Sequence, residues 1–77
     1  MKQPIVPGSR VRISATHHWA RSATGTVGSK FREVGSLNGP LLFQSIEFDT
    51  PQVDADGDGS YGGAEIDVRF LEVIGAP

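Results

Sequence analysis

Between residues 54 and 65 the chain reads Asp54-Ala55-Asp56-Gly57-Asp58-Gly59-Ser60-Tyr61-Gly62-Gly63-Ala64-Glu65. Three carboxylates at every second position can converge on one hard cation, and Gly59 permits the sharp turn such a loop needs. Ser60 would offer its backbone carbonyl, Gly62 would leave room for a water, and Glu65 would close the site with both oxygens. Four carboxylates suit calcium better than zinc, which prefers nitrogen and sulfur, or magnesium, which demands a tighter octahedron. Without a cation the same aspartates repel one another. The expected metal ligands are therefore Asp54, Asp56, Asp58, Ser60 and Glu65, with calcium as the cation, and the competing expectation is a solvated acidic loop.

That spacing matches the EF-hand loop without a gap, but its surroundings do not. An EF-hand puts a helix on each side, whereas Pro51 stands three residues before Asp54 and the segment upstream alternates like a strand. Tyr61 takes a place where an aliphatic residue is usual, and there is one loop where such loops pair. Any calcium site here is expected on a β connection.

Aromatic residues supply the second candidate. Trp19 is the only tryptophan and Tyr61 the only tyrosine. With His18, they form a possible recognition surface for a protein partner or a second copy of the chain. The alternative is that Trp19 caps the open end of the core. His17 and His18 are adjacent and point in different directions, so they make a poor chelating pair and are expected in a surface loop. No nucleophile elbow or catalytic triad is legible, and an active enzyme is not expected from these residues.

The elements that must position these residues are mostly strands. Arg10-Val11-Arg12-Ile13-Ser14 alternates with period two, Val11 and Ile13 inward. Residues 15–23 lack a strand pattern. Gly25-Thr26-Val27-Gly28-Ser29 resumes it with two glycines that suggest a bulge or sharp bend, and the strand can continue through Phe31 and Val34. Residues 35–40 are dense in turn formers. Leu41–Asp49 is the clearest strand, with Leu42, Ile46 and Phe48 on one face, Ser45 and Glu47 on the other, and Phe43 breaking the alternation. Residues 50–64 read as a long acidic connection. A short strand around Ile66, a tight turn over 67–70 and a last strand over 71–74 complete the pattern.

At 77 residues there is room for a single domain, 1–77, preceded by an extended arm over 1–8. Hydrophobic residues are 38% and charged residues 21% of the chain, enough apolar material to fold. The absence of cysteine excludes disulfides, thiolate metal sites and cysteine nucleophiles. No long apolar run or signal-like leader is legible, so a cytoplasmic protein with no membrane contact is the default expectation. The net charge of −2 hides an asymmetry: Lys2, Arg10, Arg12, Arg21, Lys30 and Arg32 face Glu33 alone before residue 39, and Arg69 faces eight carboxylates after it. Either the two halves neutralise each other, or Arg10, Arg12, Arg21, Lys30 and Arg32 make a basic stripe. The acidic total, with a pI near 5.5, disfavours a nucleic-acid partner.

The order Pro-Gly-Ser-Arg-Val-Arg-Ile at 7–13, Ala-Thr-Gly-Thr-Val at 23–27, Ser-Ile-Glu-Phe-Asp at 45–49 and Phe-Leu-Glu-Val-Ile at 70–74 resembles the SH3-like barrels of the electron-transport accessory proteins. That group includes the ferredoxin–thioredoxin reductase variable chain, the photosystem I E subunit and the C-terminal region of the nitrile hydratase β chain. The resemblance implies an all-β, five-stranded SH3-like barrel with long loops and extends to the fold alone; the function expected for such a barrel here is a non-catalytic accessory or interaction module that docks a partner chain or a second copy. The acidic loop lies outside the shared pattern. Length and barrel pattern also resemble the plasmid-borne type II dihydrofolate reductases, oligomeric barrels with a shared central site. Their Val-Gln-Ile-Tyr signature is missing, since Glu65-Ile66-Asp67-Val68 stands in its place.

Overall fold

The computed structural model describes residues 4–77; Met1 to Gln3, the start of the expected arm and its Lys2, lie outside the described residues. Period-two alternation produces strands where it was legible: β1 (Arg10–Ile13), β2 (Thr24–Val34), β3 (Leu41–Gln52), β4 (Tyr61–Asp67) and β5 (Leu71–Gly75), with one 3₁₀ turn, Val68–Phe70, between the last two. All are antiparallel in one sheet of order β4-β3-β2-β1-β5. The fold is all-β. Among the described residues no ladder joins β4 to β5, so the sheet is open and the expected closed barrel is not formed by hydrogen bonding.

One face of this sheet encloses the core. Val11 and Ile13 of β1, Val27 of β2, Ile46 and Phe48 of β3 and Ile66 of β4 form one buried cluster with Ala20 and Ala23, and Ile5, Trp19, Phe70 and Leu71 pack against it. Burying each of the larger aliphatic side chains contributes about 1.5–3 kcal/mol. The two glycines of β2 do what their spacing suggests. A Cβ at Gly25 would run into the Glu47 carbonyl and one at Gly28 into the Ser45 hydroxyl, and the β2–β3 register shifts between Val27 and Phe31. Close strand approach and a change of register are thus bought with missing side chains.

One detail differs from the sequence reading and two add to it. The connection between β3 and β4 is short: β3 runs on through Pro51 to Gln52 and β4 begins at Tyr61, against an expected loop over 50–64. Pro51 is tolerated because the β3–β4 register breaks between Glu47 and Gln52, where no ladder N–H is required of it. Gln44 sits at a core position, 1% exposed, because its amide is fully used: Oε1 accepts the Ile5 N–H at 2.9 Å and Nε2 donates to the Ile5 carbonyl at 2.6 Å, pinning the arm to the sheet. Phe43, on the face of β3 that carries Ser45 and Glu47, lies half-buried beneath the Arg32 guanidinium, 5.4 Å from the ring centre.

The opposite charges of the two halves meet across the sheet. Arg10 pairs with Asp49, Arg12 with Glu72 and Arg32 with Glu65, and Arg69 pairs locally with Asp67. Three residues of the candidate basic stripe, Arg10, Arg12 and Arg32, are thus paired with carboxylates of the second half.

Candidate functional site

The 53–60 connection is organised around one carboxylate. Asp54 Oδ1 accepts the backbone N–H groups of Asp56 and Asp58, both at 2.9 Å, while the Asp54 N–H donates to the Asp58 carbonyl at 2.9 Å and the Gly57 N–H to the Asp54 carbonyl at 3.0 Å. Gly57 and Gly59 take the positive φ values, +82° and +136°, that this tight reversal requires. The second oxygen of Asp54 accepts the Tyr61 hydroxyl at 3.1 Å. The Asp58 N–H and then the Tyr61 hydroxyl hold the Asp54 carboxyl below its usual pKa, and Asp54 in turn raises the Tyr61 phenol above its own.

Of the expected metal ligands, the fold brings three together. Asp54, Asp56 and Asp58 present carboxylate oxygens all within 4.8 Å of one another. Ser60 is exposed and immediately precedes β4. Glu65 is elsewhere: four residues into β4 and opposite Ser45, it receives the Arg32 Nε on both oxygens at 3.0 and 2.9 Å. The helix that would swing the twelfth loop residue back over the cation is replaced by a strand that starts at the eighth. An EF-hand cage is therefore not assembled. What remains is an acidic turn offering three side chains, with water needed for the rest of a calcium shell.

Two of the three aromatic candidates, Trp19 and Tyr61, meet. The Trp19 indole meets Phe48 edge-on at 5.8 Å between ring centres and Tyr61 at 5.9 Å. Trp19 is half-buried, packed on the core through Phe48, while Tyr61 is 40% exposed. One side of Trp19 thus supports the core and the other borders an exposed tyrosine. His18 is exposed and stacks on His17 at 4.4 Å.

His17 corrects the surface-loop expectation. It is 4% exposed, with its ring edge-on to Phe70 at 5.1 Å, and its Nδ1 accepts the backbone N–H groups of Ala20 at 3.0 Å and Trp19 at 3.3 Å. A local acceptor of this kind is invisible to hydropathy, because it serves the loop's own backbone. Sequence reasoning also missed Asp67, buried at the start of the 3₁₀ turn, where it accepts the Arg69 N–H at 2.9 Å. The Asp67-x-Arg69 spacing after a strand was its only signal.

A separate cleft of about 390 Å³ lies beside β1 and β5, where Arg12, Ser14, Ser22 and Arg69 surround Phe70 and Leu71. Its arginines face Glu72 and Asp67. Comparison with protein-family models, with curated proteins and with solved structures finds no match for this chain.

Proposed function

We propose that this chain is a non-catalytic interaction module of SH3-like build, which docks a protein partner through the face formed by Trp19, Tyr61 and His18. The observation that carries this reading is the Trp19–Tyr61 edge-on pair, an indole backed by buried Phe48 and a phenol 40% exposed. Rigid aromatic side chains with a buried support and an exposed edge contribute large contact area at low entropic cost, which is the character of binding hot spots. The strand order β4-β3-β2-β1-β5 is compatible with a small barrel-like domain, although fold by itself names no partner. Trp19 is the only tryptophan, so its emission is a direct probe. Peptides selected on the immobilised protein should shift Trp19 emission saturably and lose affinity in Tyr61→Ala; binders that leave the emission untouched and tolerate that substitution would refute the reading.

A second reading rests on a different observation, the convergence of Asp54, Asp56 and Asp58 within 4.8 Å. On this reading the acidic turn takes calcium, with three carboxylates and water as ligands. Calcium added to the protein should shift the amides of 54–61, with the effect lost in Asp56→Ala and retained in Glu65→Gln. Dependence on Glu65 instead would point to a rearranged EF-hand cage, and no shift at millimolar calcium would leave a solvated turn.

A further inference from the structure

We propose that His17 is a proton-operated latch: protonation of its Nδ1 releases the 14–23 loop and with it the placement of the Trp19 indole against Phe48 and Tyr61. The loop is joined to the sheet at its base, where Ile13 and Ser22 or Ala23 exchange backbone bonds, Ser22 N–H to the Ile13 carbonyl at 2.9 Å and Ile13 N–H to the Ala23 carbonyl at 2.8 Å. Within the loop the His17 N–H donates to the Ser14 carbonyl at 3.0 Å and the Ala23 N–H to the Ala20 carbonyl at 3.3 Å, and the amides of Trp19 and Ala20 are held by the His17 ring. The Trp19 and Ala20 N–H groups both point at one nitrogen, 3.3 and 3.0 Å away. That nitrogen must carry a lone pair, so the neutral ring holds its hydrogen on Nε2. A proton on Nδ1 turns the shared acceptor into a donor facing two donors, and both bonds fail together.

The surrounding charges set the sign. Burial of the ring disfavours the imidazolium, and His18, stacked 4.4 Å away, adds to this. Asp67, whose carboxylate also accepts the Arg69 side chain at 2.7 and 3.0 Å and the Arg69 N–H, favours the cation but is the smallest of the three influences. Arg21 reaches the same residue on the backbone side, donating Nε to the His17 carbonyl at 3.0 Å. The balance holds His17 below the ordinary histidine value of 6.5. A histidine whose pKa is depressed in the closed loop stabilises that loop fully above pH 6.5; the stabilisation declines as pH falls below that value and is lost through the closed-loop pKa. Ala20 is fully buried and Trp19 packs on the core, so the released loop exposes apolar surface that the closed one covers.

The latch regulates the face assigned above to partner docking. Its operation is read without any partner, so the two claims fail separately. The test is amide hydrogen exchange and ¹⁵N ring shifts of the full chain between pH 7.5 and 4.5. The expected result is a neutral ring protonated on Nε2. Opening at Trp19 and Ala20, corrected for intrinsic exchange, should rise up to tenfold per pH unit from 6.5 down to the measured His17 pKa and then level off, while the amides of Val11 and Ile46 hold. In His17→Asn, whose Oδ1 can accept without titrating, the pH slope should vanish; in His18→Gln it should persist. A ring protonated on Nδ1 at neutral pH, a His17 pKa at or above 6.5, or an unchanged slope in His17→Asn would overturn the proposal. The wild-type ring shifts decide the matter even where a variant fails to fold.

Discussion

The Tyr61 hydroxyl donates to the Asp54 carboxylate across 3.1 Å, linking the acidic turn to the aromatic face. The same phenol ring touches Trp19, so what happens at Asp54 is felt one side chain away from the indole. Asp54 stabilises the neutral phenol by accepting its hydrogen and by its own charge. Tyr61, the only tyrosine, should therefore ionise above pH 10. Phenolate absorbance should show a single transition that moves down toward 10 in Asp54→Asn; an identical midpoint in the two proteins would mean the bond is not formed in solution.

Strand approach at Gly25 predicts a sharp contrast between two glycines. Gly25→Ala drives a methyl into the Glu47 carbonyl and the Ile46 side chain and should destabilise by about 1–3 kcal/mol through forced overpacking. Gly62→Ala meets open space and should be neutral or stabilising by up to about 1 kcal/mol. Urea midpoints read the difference, and equal midpoints for the two variants would contradict the close approach of β2 and β3.

Replacing Gln44 with methionine keeps most of the volume but removes both partners of the Ile5 backbone. The expected cost is about 1–3 kcal/mol, the penalty for unpaired polar groups near the core. Hydrogen exchange at Ile5 should accelerate ahead of the β3 amides. Unchanged protection at Ile5 would show that the arm is held by something other than the Gln44 amide.

Acid sensitivity has a second source besides His17. The Arg10 guanidinium, donating at 2.7 Å, and the Thr24 hydroxyl, also at 2.7 Å, lower the Asp49 carboxyl to about 2. A depressed carboxyl contributes stability that is complete above its unfolded value near 3.8 and is lost as pH falls through about 2. Both groups are substantially solvated, so the contribution is modest and screened by salt. Carboxyl ¹³C titration should place Asp49 well below an ordinary aspartate and move it up in Arg10→Gln, with the Thr24 bond keeping it short of the normal range; a normal Asp49 in the parent protein would contradict the ion pair.

Much of the sheet was legible because its cause is local. Val11 and Ile13, or Leu42, Ile46 and Phe48, alternate with polar neighbours and can bury only one face as strands. The reversal at Gly59 was legible for the same reason. Contacts that depend on distant pairing were not. Glu65 fits a loop template by spacing, yet its carboxylate belongs to Arg32, brought near by the β2–β3–β4 order. The burial of Gln44 had no local signal, since its partner Ile5 lies 39 positions away. The length of β3 was underread because Pro51 signals a break, whereas a break in register with β4 absorbs it.

The docking claim is tested most directly by mapping a selected binder onto the ¹⁵N-labelled protein. Peptides enriched on the wild-type chain and counter-selected against Tyr61→Ala, when titrated at pH 7.5, should perturb His18, the Trp19 indole N–H and Tyr61 first and most strongly, with effects fading toward β5. Perturbations centred instead on Arg12, Ser22 and Arg69 beside β1 and β5, or no enrichment over the Tyr61→Ala control, would contradict the assignment of Trp19 and Tyr61 as the recognition face.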